Sequence, residues 1–457
     1  MPTEIRRFIR SLGLDAYVVG GAVRDELLGI PHTDEDFLVP GVDQPGLHAL
    51  LEPHGRVEDL EVHGQLVGVR LYPRDRAVRA LQPAGIELTP PRAERSTGPG
   101  HRDFAIVSDP SIGVEEDMAR RDFTINAIAR RLSTGELVDP FGGVGDLGRR
   151  ELRTVTEWSF REDPLRILRG LRLVSQLGFT LSGETLARMR LEADGLQHVS
   201  AERIGGGVAA DGMGELSKLL LGSRPAVALR LARDTGVLTR ILPEVEPAIG
   251  YDLHTERQPL PLDEHVFAVV QAAADAAAPL AVRLAALLHD LGKPAADTDG
   301  GSHAKAGAAL AGRVLRRLRY PTAMRRHVVA LVAGHAFWLD PWLEGDDRRA
   351  TRRFLASHGD GLARELVTLK RADLAAKNVD PRELQALDRL ETGLEEEQSM
   401  PHRLGDLAVG GADLIAAGFA EGPELGRVLH VLLDEVVDEP SRNTREALLA
   451  RALEERA

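Results

Sequence analysis

Gly20-Gly21, in the stretch VVGGAVRDELLGIPHTDEDF from Val18 to Phe37, constrains this chain more than any other feature. The apolar residues Tyr17–Val19 before it read as a short strand, and AVRDELLG after it as a helix. A helix opened by glycines presents unpaired backbone N–H groups and makes an anion site. Arg24, one turn in, adds a charge-assisted partner for a phosphate. A second apolar run follows Asp34-Glu35-Asp36. Strand side chains alternate faces, so Asp34 and Asp36 share one face and Glu35 points away. Two like charges side by side call for a cation between them. A phosphate cradle, an arginine and paired carboxylates within 17 residues point to a metal–nucleotide site. Mg²⁺ takes oxygen ligands and is often held by one or two carboxylates plus substrate phosphates. Two such ions about 4 Å apart activate an attacking hydroxyl and stabilise a leaving pyrophosphate.

A third carboxylate is expected from a neighbouring strand. Glu87, in the strand-like Ile86–Thr89, is the candidate, with an ordinary exposed strand glutamate as the alternative. Pro90-Pro91 follows at once, and proline cannot donate to a ladder, so this strand should be short or on an edge. Further on, EEDMARRDFTINAIAR reads as a helix presenting Arg120, Arg121, Asp122 and Asn126 above the apolar Phe123, Ile125 and Ile128. In EDPLRILRGLRL, Pro164 suits the first helical position and makes Asp163 a natural N-cap. Arg166, three residues on, faces the same side.

Charge bears on the partner. The net charge of −13 argues mildly against nucleic-acid binding, yet from Arg120 to Arg172 there are 11 Arg and Lys against 8 Asp and Glu. A local basic stripe of that kind still suits a phosphate backbone, although single arginine pairs more often decorate solvated helix faces. There is no cysteine, which excludes disulfides and thiolate metal sites. The N-terminal MPTEIRRFIRSLGL has no apolar signal core, and the most apolar helical run is broken by Asp275, Pro279 and Arg283. No membrane segment is expected, and a cytoplasmic location follows most simply.

At 457 residues the chain is too long for one core. Residues 1–145 mix strands with helices and end at the turn VDPFGG. Residues 146–258 and 259–376 read as helical, the latter beginning after the Pro-rich QPLPLDEH, and 377–457 as a helical tail broken by Gly-Gly and Gly-Pro. The third segment carries a second constellation. LAALLHDLGKP ends an apolar helix with His289-Asp290, and buried charge at such an end is expensive unless paired or bound to metal. His265 lies a helix earlier; His303, His335 and Asp373 come later, and Lys293 follows closely. Histidine with carboxylate suits a divalent transition metal, with a helix-end salt bridge as the alternative.

The motifs GGAVRDELLGIPHTDEDF, RRDFTINAIA, DPFGG, EDPLRILRGLRLVSQLGF and SAERI, in this order, resemble class II tRNA nucleotidyltransferases, the CCA-adding enzymes and their poly(A) polymerase relatives. The resemblance is dense from Tyr17 to Glu244 and continues through a segment similar to HD phosphohydrolases; PPRAERSTGPGH looks like the flexible loop of bacterial members with an HD domain. It implies an α+β fold: a nucleotidyltransferase head with a small mixed sheet, then a helical neck, an HD-like domain and a helical tail. It implies addition of CMP and AMP to the tRNA 3′ end from CTP and ATP, with release of pyrophosphate and no nucleic-acid template. A CC-adding or A-adding enzyme, or a poly(A) polymerase, shares nearly the same motifs; an HD phosphohydrolase with an RNA-binding front end is the alternative from another class. By the resemblance, Asp34 and Asp36 hold Mg²⁺ with Glu87 close by, and Gly20, Gly21 and Arg24 hold the triphosphate. Arg120, Arg121, Asp122 and Asn126 contact the nucleotide sugar and phosphates, Asp163 and Arg166 read the base, and Arg169 supports that helix or the nucleotide. His265, His289, Asp290 and Asp373 ligate the second metal, while His303 and His335 add ligands or bind phosphate. Neck and tail grip the tRNA, and neither DNA nor a membrane is implied as a partner.

Overall fold

The computed structural model describes residues 3–32, 35–62, 64–96, 104–108, 110–206, 213–253 and 255–456. Asp34 and residues 97–103 of the loop expected to be flexible lie outside them. The chain forms two compact units, Met1–Pro243 and Glu244–Ala457.

The first unit is built on a mixed sheet. After helix α1 (Glu4–Ser11) come β1 (Tyr17–Val19), α2 (Gly21–Leu28), β2 (Asp36–Leu38) and α3 (Gln44–Leu51). Then follow β3 (Gly55–Val62), β4 (Gln65–Pro73), α4 (Arg76–Leu81), β5 (Ile86–Thr89), β6 (Arg92–Ser96), β7 (Phe104–Ser108), α5 (Val114–Ala119), β8 (Ala129–Arg131) and β9 (Leu137–Val138). Seven strands order as β3-β4-β5-β2-β1-β8-β9, and β6 pairs with β7 separately. Only β2 and β5 run parallel within the seven. The sheet is therefore larger than the short strands read at Tyr17–Val19, after Asp36 and at Ile86–Thr89.

Strand alternation sorts the faces. Val18, Phe37, Leu88 and Val69 pair successively across β1, β2, β5 and β4 and are all fully buried. One residue along, Ala129, Val19, Asp36, Glu87 and Arg70 form the neighbouring row across β8, β1, β2, β5 and β4. An apolar cluster of Tyr17, Val19, Leu38, Met118, Ala127 and Ala129 supports this second face. β5 is short, as Pro90-Pro91 requires, but it is not an edge: β2 and β4 flank it, and the prolines only end it.

The expected helix over 120–126 is absent. α5 stops at Ala119; Thr124–Asn126 form a single 3₁₀ turn, and Phe123 bridges to Thr154. Thr124 N–H donates to Arg153 O at 2.9 Å and Val155 N–H to Asp122 O at 3.3 Å, so a remote segment takes the hydrogen bonds a helix would have used. Beyond the sheet, α6 (Gly143–Arg149) and α7 (Ser159–Glu162) lead to α8 (Leu165–Leu177), whose Ile167, Leu168, Leu171 and Val174 are buried.

The second unit is helical. Leu262–Asp275, Leu280–Leu288, His303–Arg317, Thr322–Gly334 and Asp360–Ala375 form its first part. A separate core of Val409, Leu414, Phe419, Val428, Leu432, Val436, Leu448 and Ala452 holds the C-terminal helices together. Among the described residues no helix is long and apolar enough to cross a membrane.

Candidate functional site

A cavity of about 550 Å³ opens over the Asp36–Glu87 row of the first unit. Its wall includes Val19, Gly20, Gly21 and Arg24 from the β1–α2 junction, Thr89 from β5, Arg120–Asp122 and Asn126, and Asp163, Arg166, Arg169 and Arg172 around α8. Gly20 has φ +72°, and a Cβ there would stand 2.6 Å from Arg121 Nη1. Only glycine allows both the turn and the approach of that guanidinium. Arg24 Nη1 donates to Asn126 Oδ1 at 2.7 Å, which ties α2 to the 3₁₀ turn.

Two buried carboxylates organise the cations. Asp117, fully buried on α5, accepts from Arg120 Nε at 2.8 Å and Arg121 Nη2 at 3.3 Å. Burial would raise its pKa, but the two arginines override it and hold the carboxyl below its usual value. Asp122 accepts from Phe123 N–H at 2.8 Å and Asn126 Nδ2 at 3.0 Å, with Arg169 Nε 3.0 Å from its other oxygen. Burial again opposes ionisation, yet Arg169 and these hydrogen bonds lower the pKa to about 2. Asp36 is among the charges that act on Arg121. Glu87 is paired with Arg70. Among the described residues, seven arginines against four acidic residues line the cavity, a balance that suits a polyphosphate.

The second unit holds a denser cluster. Ligand atoms of His265, His289, Asp290 and Asp373 lie within 4.8 Å of one another, and Asp290, His303 and His335 form another such group. His289 Nδ1 lies 2.8 Å from Ala286 O and His335 Nδ1 2.7 Å from Val332 O. Those carbonyls hold a proton on Nδ1, so that Nε2, which faces the cluster, is the nitrogen that becomes an electron-pair donor once a cation displaces its proton. Both His265 ring nitrogens, His289 Nε2, both Asp290 oxygens and Asp373 Oδ1 are buried without a hydrogen bond of good geometry, although Lys293 Nζ lies 2.6 Å from Asp290 Oδ2, Lys377 Nζ 2.7 Å from Asp373 Oδ1, and His265 and His289 Nε2 each 3.2 Å from a carboxylate oxygen. Buried polar atoms left in such numbers fit a cation-binding set of nitrogen and carboxylate oxygen. Burial would push His289 down and both aspartates up; their mutual attraction prevails, taking His289 to about 9 and both carboxyls well below their usual range.

Three comparisons identify what this arrangement belongs to. Residues 16–153 match the Poly A polymerase head domain, 178–249 the probable RNA- and SrmB-binding site of polymerase A, and 262–378 the HD domain. The multifunctional CCA protein of Azoarcus sp. (strain BH72) is 39% identical over 327 residues, covering 70% of this chain and 73% of that protein. This chain belongs to the multifunctional CCA protein family. The Ralstonia nicotianae member is 35% identical over 71% of the chain and 72% of its own length. Among solved structures, the Bacillus stearothermophilus CCA-adding enzyme in complex with CTP shares 27% identity and a TM-score of 0.70, over 99% of this chain and 96% of that one. The Thermotoga maritima CCA-adding enzyme complexed with tRNA shares the fold, at 20% identity and a TM-score of 0.61.

Of the family's implied nucleotide-site residues, all but Asp34, which lies outside the described residues, line the one cavity. Arg172, Arg92 and Thr89 line it too and were not singled out from the sequence. Arg172 was within reach: it continues the three-residue spacing of Asp163, Arg166 and Arg169. Asp117 was within reach too: Arg120 and Arg121 stand three and four residues on, the spacing of same-face pairs. The six HD-type residues His265, His289, Asp290, Asp373, His303 and His335 come together as the two metal-ligand groups, and Lys293 joins them through Asp290.

Proposed function

We propose that this protein adds CMP and AMP to the 3′ end of tRNA, taking CTP and ATP and releasing pyrophosphate. The observation that carries the reading is the registration of Asp36 with Glu87 beneath a glycine-opened helix and an arginine-lined cavity, in a chain of this family. The carboxylates supply the oxygen donors that Mg²⁺ requires, so Asp36 and Glu87, with Asp34, would hold it. Bound there, the ion neutralises charge developing on the α-phosphate and the departing pyrophosphate. The α2 N-terminus and Arg24 bind the phosphates, Arg120 and Arg121 offset their charge, and Asp122 fixes Asn126 and Arg169 against the nucleotide. The tRNA 3′-hydroxyl attacks the α-phosphorus, and the bond to the β-phosphate breaks. Asp163 and Arg166 select the base. The finer division of the two units at about residues 145, 258 and 376 belongs to the same proposal. Transcripts ending before CCA, after C and after CC, offered CTP and ATP separately and together, test it. Addition of C to the first two and of A to the third is expected; CC alone, A alone or a long A tail would assign one of the partial activities instead.

The orphaned histidine and aspartate atoms of the second unit favour a second activity, a metal-dependent phosphohydrolase. Arg257, Lys293, Lys370 and Lys377 border the cavity of about 520 Å³ above them and would hold a phosphate ester. Release of phosphate from nucleotide esters by the metal-loaded protein, lost on replacing His289 and Asp290, is the expected outcome.

A further inference from the structure

Glu35 immediately precedes β2 (Asp36–Leu38), next to Asp36. A carboxylate there is costly unless fully paired, and it is buried. Arg6, on α1, donates from Nε to Glu35 Oε1 at 2.8 Å. Thr3 Oγ1 donates to Oε2 at 2.9 Å, and His32 Nε2 lies 3.3 Å from Oε1. The same guanidinium donates from Nη1 to Glu26 Oε2 at 2.6 Å. Glu26 belongs to α2, the helix that opens at Gly21 and carries Arg24 two residues before Glu26. Arg6 itself is buried and lies outside both the nucleotide cavity and the span matched by the head-domain family.

One planar fork thus joins the two elements that divide the work of the site: α2, which meets phosphates, and the residue that leads into β2, beside Asp36. We propose that Arg6, with Glu26 and Glu35, is a positioning clamp that sets the spacing of the phosphate helix against the metal-binding strand. The guanidinium suits this because its donors are rigidly forked, so both carboxylates are held at fixed relative positions. A lysine offers one compact charge and holds only one of them well. The clamp touches no substrate; it acts through Asp36 on one side and through the α2 N-terminus on the other.

The inference rests on Asp36 as a metal ligand, and Asp36→Ala is the control that separates the two claims. Direct binding of Mn²⁺ and of CTP, measured by calorimetry without tRNA and so without turnover, in chains that also carry His289→Ala and Asp290→Ala to silence the second unit's cluster, reads the clamp. Glu35→Gln is expected to weaken Mn²⁺ binding about fivefold or more with CTP affinity within twofold, and Glu26→Gln the reverse. Arg6→Lys should weaken both. Double replacement of Arg6 and Glu35 should weaken Mn²⁺ binding no more than the worse single change, since both break one link. In assays, raising Mg²⁺ should restore the rate of Glu35→Gln. A merely structural pin would lower the folded fraction and leave both dissociation constants of the folded protein where they were; that result, with Asp36→Ala still inactive, overturns the clamp. If Asp36→Ala keeps full Mn²⁺ affinity and activity, the metal assignment fails instead. Should Arg6→Lys not fold, the isosteric Glu26→Gln and Glu35→Gln still decide the matter.

Discussion

Asp36 and Glu87 are register partners on the adjacent parallel strands β2 and β5, and both line the same cavity. Strands about 4.8 Å apart hold two carboxylates at a separation suited to shared cations. Asp36→Ala should therefore abolish nucleotide addition, by about a thousandfold or more, the scale on which single preorganised electrostatic contacts act. Stability should hold or rise, because the change relieves repulsion with Glu87. Rates of CMP incorporation beside thermal melting check this, and near-normal incorporation would remove Asp36 from the site. Arg70 pairs with Glu87 from the other side, both partly exposed, so Arg70→Met should cost at most about 1 kcal/mol. A larger loss of rate in Arg70→Met would then belong to the displaced Glu87.

Asp122 links the site to acid stability. Its folded pKa of about 2 lies below the 3.8 of an unperturbed aspartate, since Arg169 and its hydrogen bonds outweigh burial. A depressed carboxyl pKa contributes stability that is fully present above pH ~4 and lost as the pH falls through ~2. The shift corresponds to about 2 kcal/mol at neutral pH. Asp122→Asn should melt below the parent by a matching amount at pH 7, and the gap should narrow between pH ~4 and ~2. A gap that stays constant over that range would mean that the ionised carboxylate contributes nothing.

The second unit makes a prediction about metal removal. Its orphaned atoms lose their penalty when a cation binds, so Mn²⁺ or Ni²⁺ at a hundredfold excess over its dissociation constant should stabilise the unit by about 2.7 kcal/mol. Chelator treatment should reverse this. Joint replacement of His289 and Asp290 by alanine should remove the bound metal and the phosphohydrolase activity while nucleotide addition persists. Because Asp290 belongs to both ligand groups, His335→Ala should spare metal at the His265–His289–Asp373 group. Elemental analysis decides these points; unchanged metal content in the double variant would show that the cluster is not the ligand set.

What was legible in the sequence was what short-range spacing encodes. The glycine turn, Asp36 on a short strand and the spacing of Asp163, Arg166 and Arg169 follow from strand and helix periods. Glu87 was legible as a candidate only, because its partner strand is fifty residues away in the chain. The segment 120–126 looked helical because its apolar spacing is helical; long-range hydrogen bonds to Arg153 and Val155 broke that pattern. The burial of Glu35 had no local sign, since nothing near it in the chain reveals that Arg6 arrives from α1 to pair with it. β3, reading GRVEDLEV, was hidden by charges that a solvent-facing strand tolerates.

Base selection without a template is the last prediction. Asp163 Oδ1 accepts from Leu165 N–H at 3.0 Å, the N-cap role that Pro164 suggested. Arg166 donates from Nη1 to Ser159 O at 3.2 Å and to Glu162 Oε2 at 3.0 Å, and from Nη2 to Arg120 O at 2.6 Å. These bonds hold the guanidinium in place at the cavity wall, with further N–H groups on Nε and Nη2. Cytosine and adenine each present an amino donor beside a ring-nitrogen acceptor; uracil and guanine present a carbonyl acceptor beside an N–H donor. A carboxylate acceptor next to a guanidinium donor fits the first pair and leaves buried groups unsatisfied against the second. Sites built on such pairing reject the wrong partner by factors of roughly 10⁴. Loss of the cap alone costs about 1 kcal/mol of stability and does not touch selectivity. Asp163→Ala should therefore admit UTP and GTP far more readily than its modest destabilisation explains, and Arg166→Ala should do the same. Competition among all four nucleotides at equal concentration is the measurement. If both variants exclude UTP and GTP as strictly as the parent, Asp163 is a helix cap, Arg166 is a strut between carbonyls, and the base is read elsewhere.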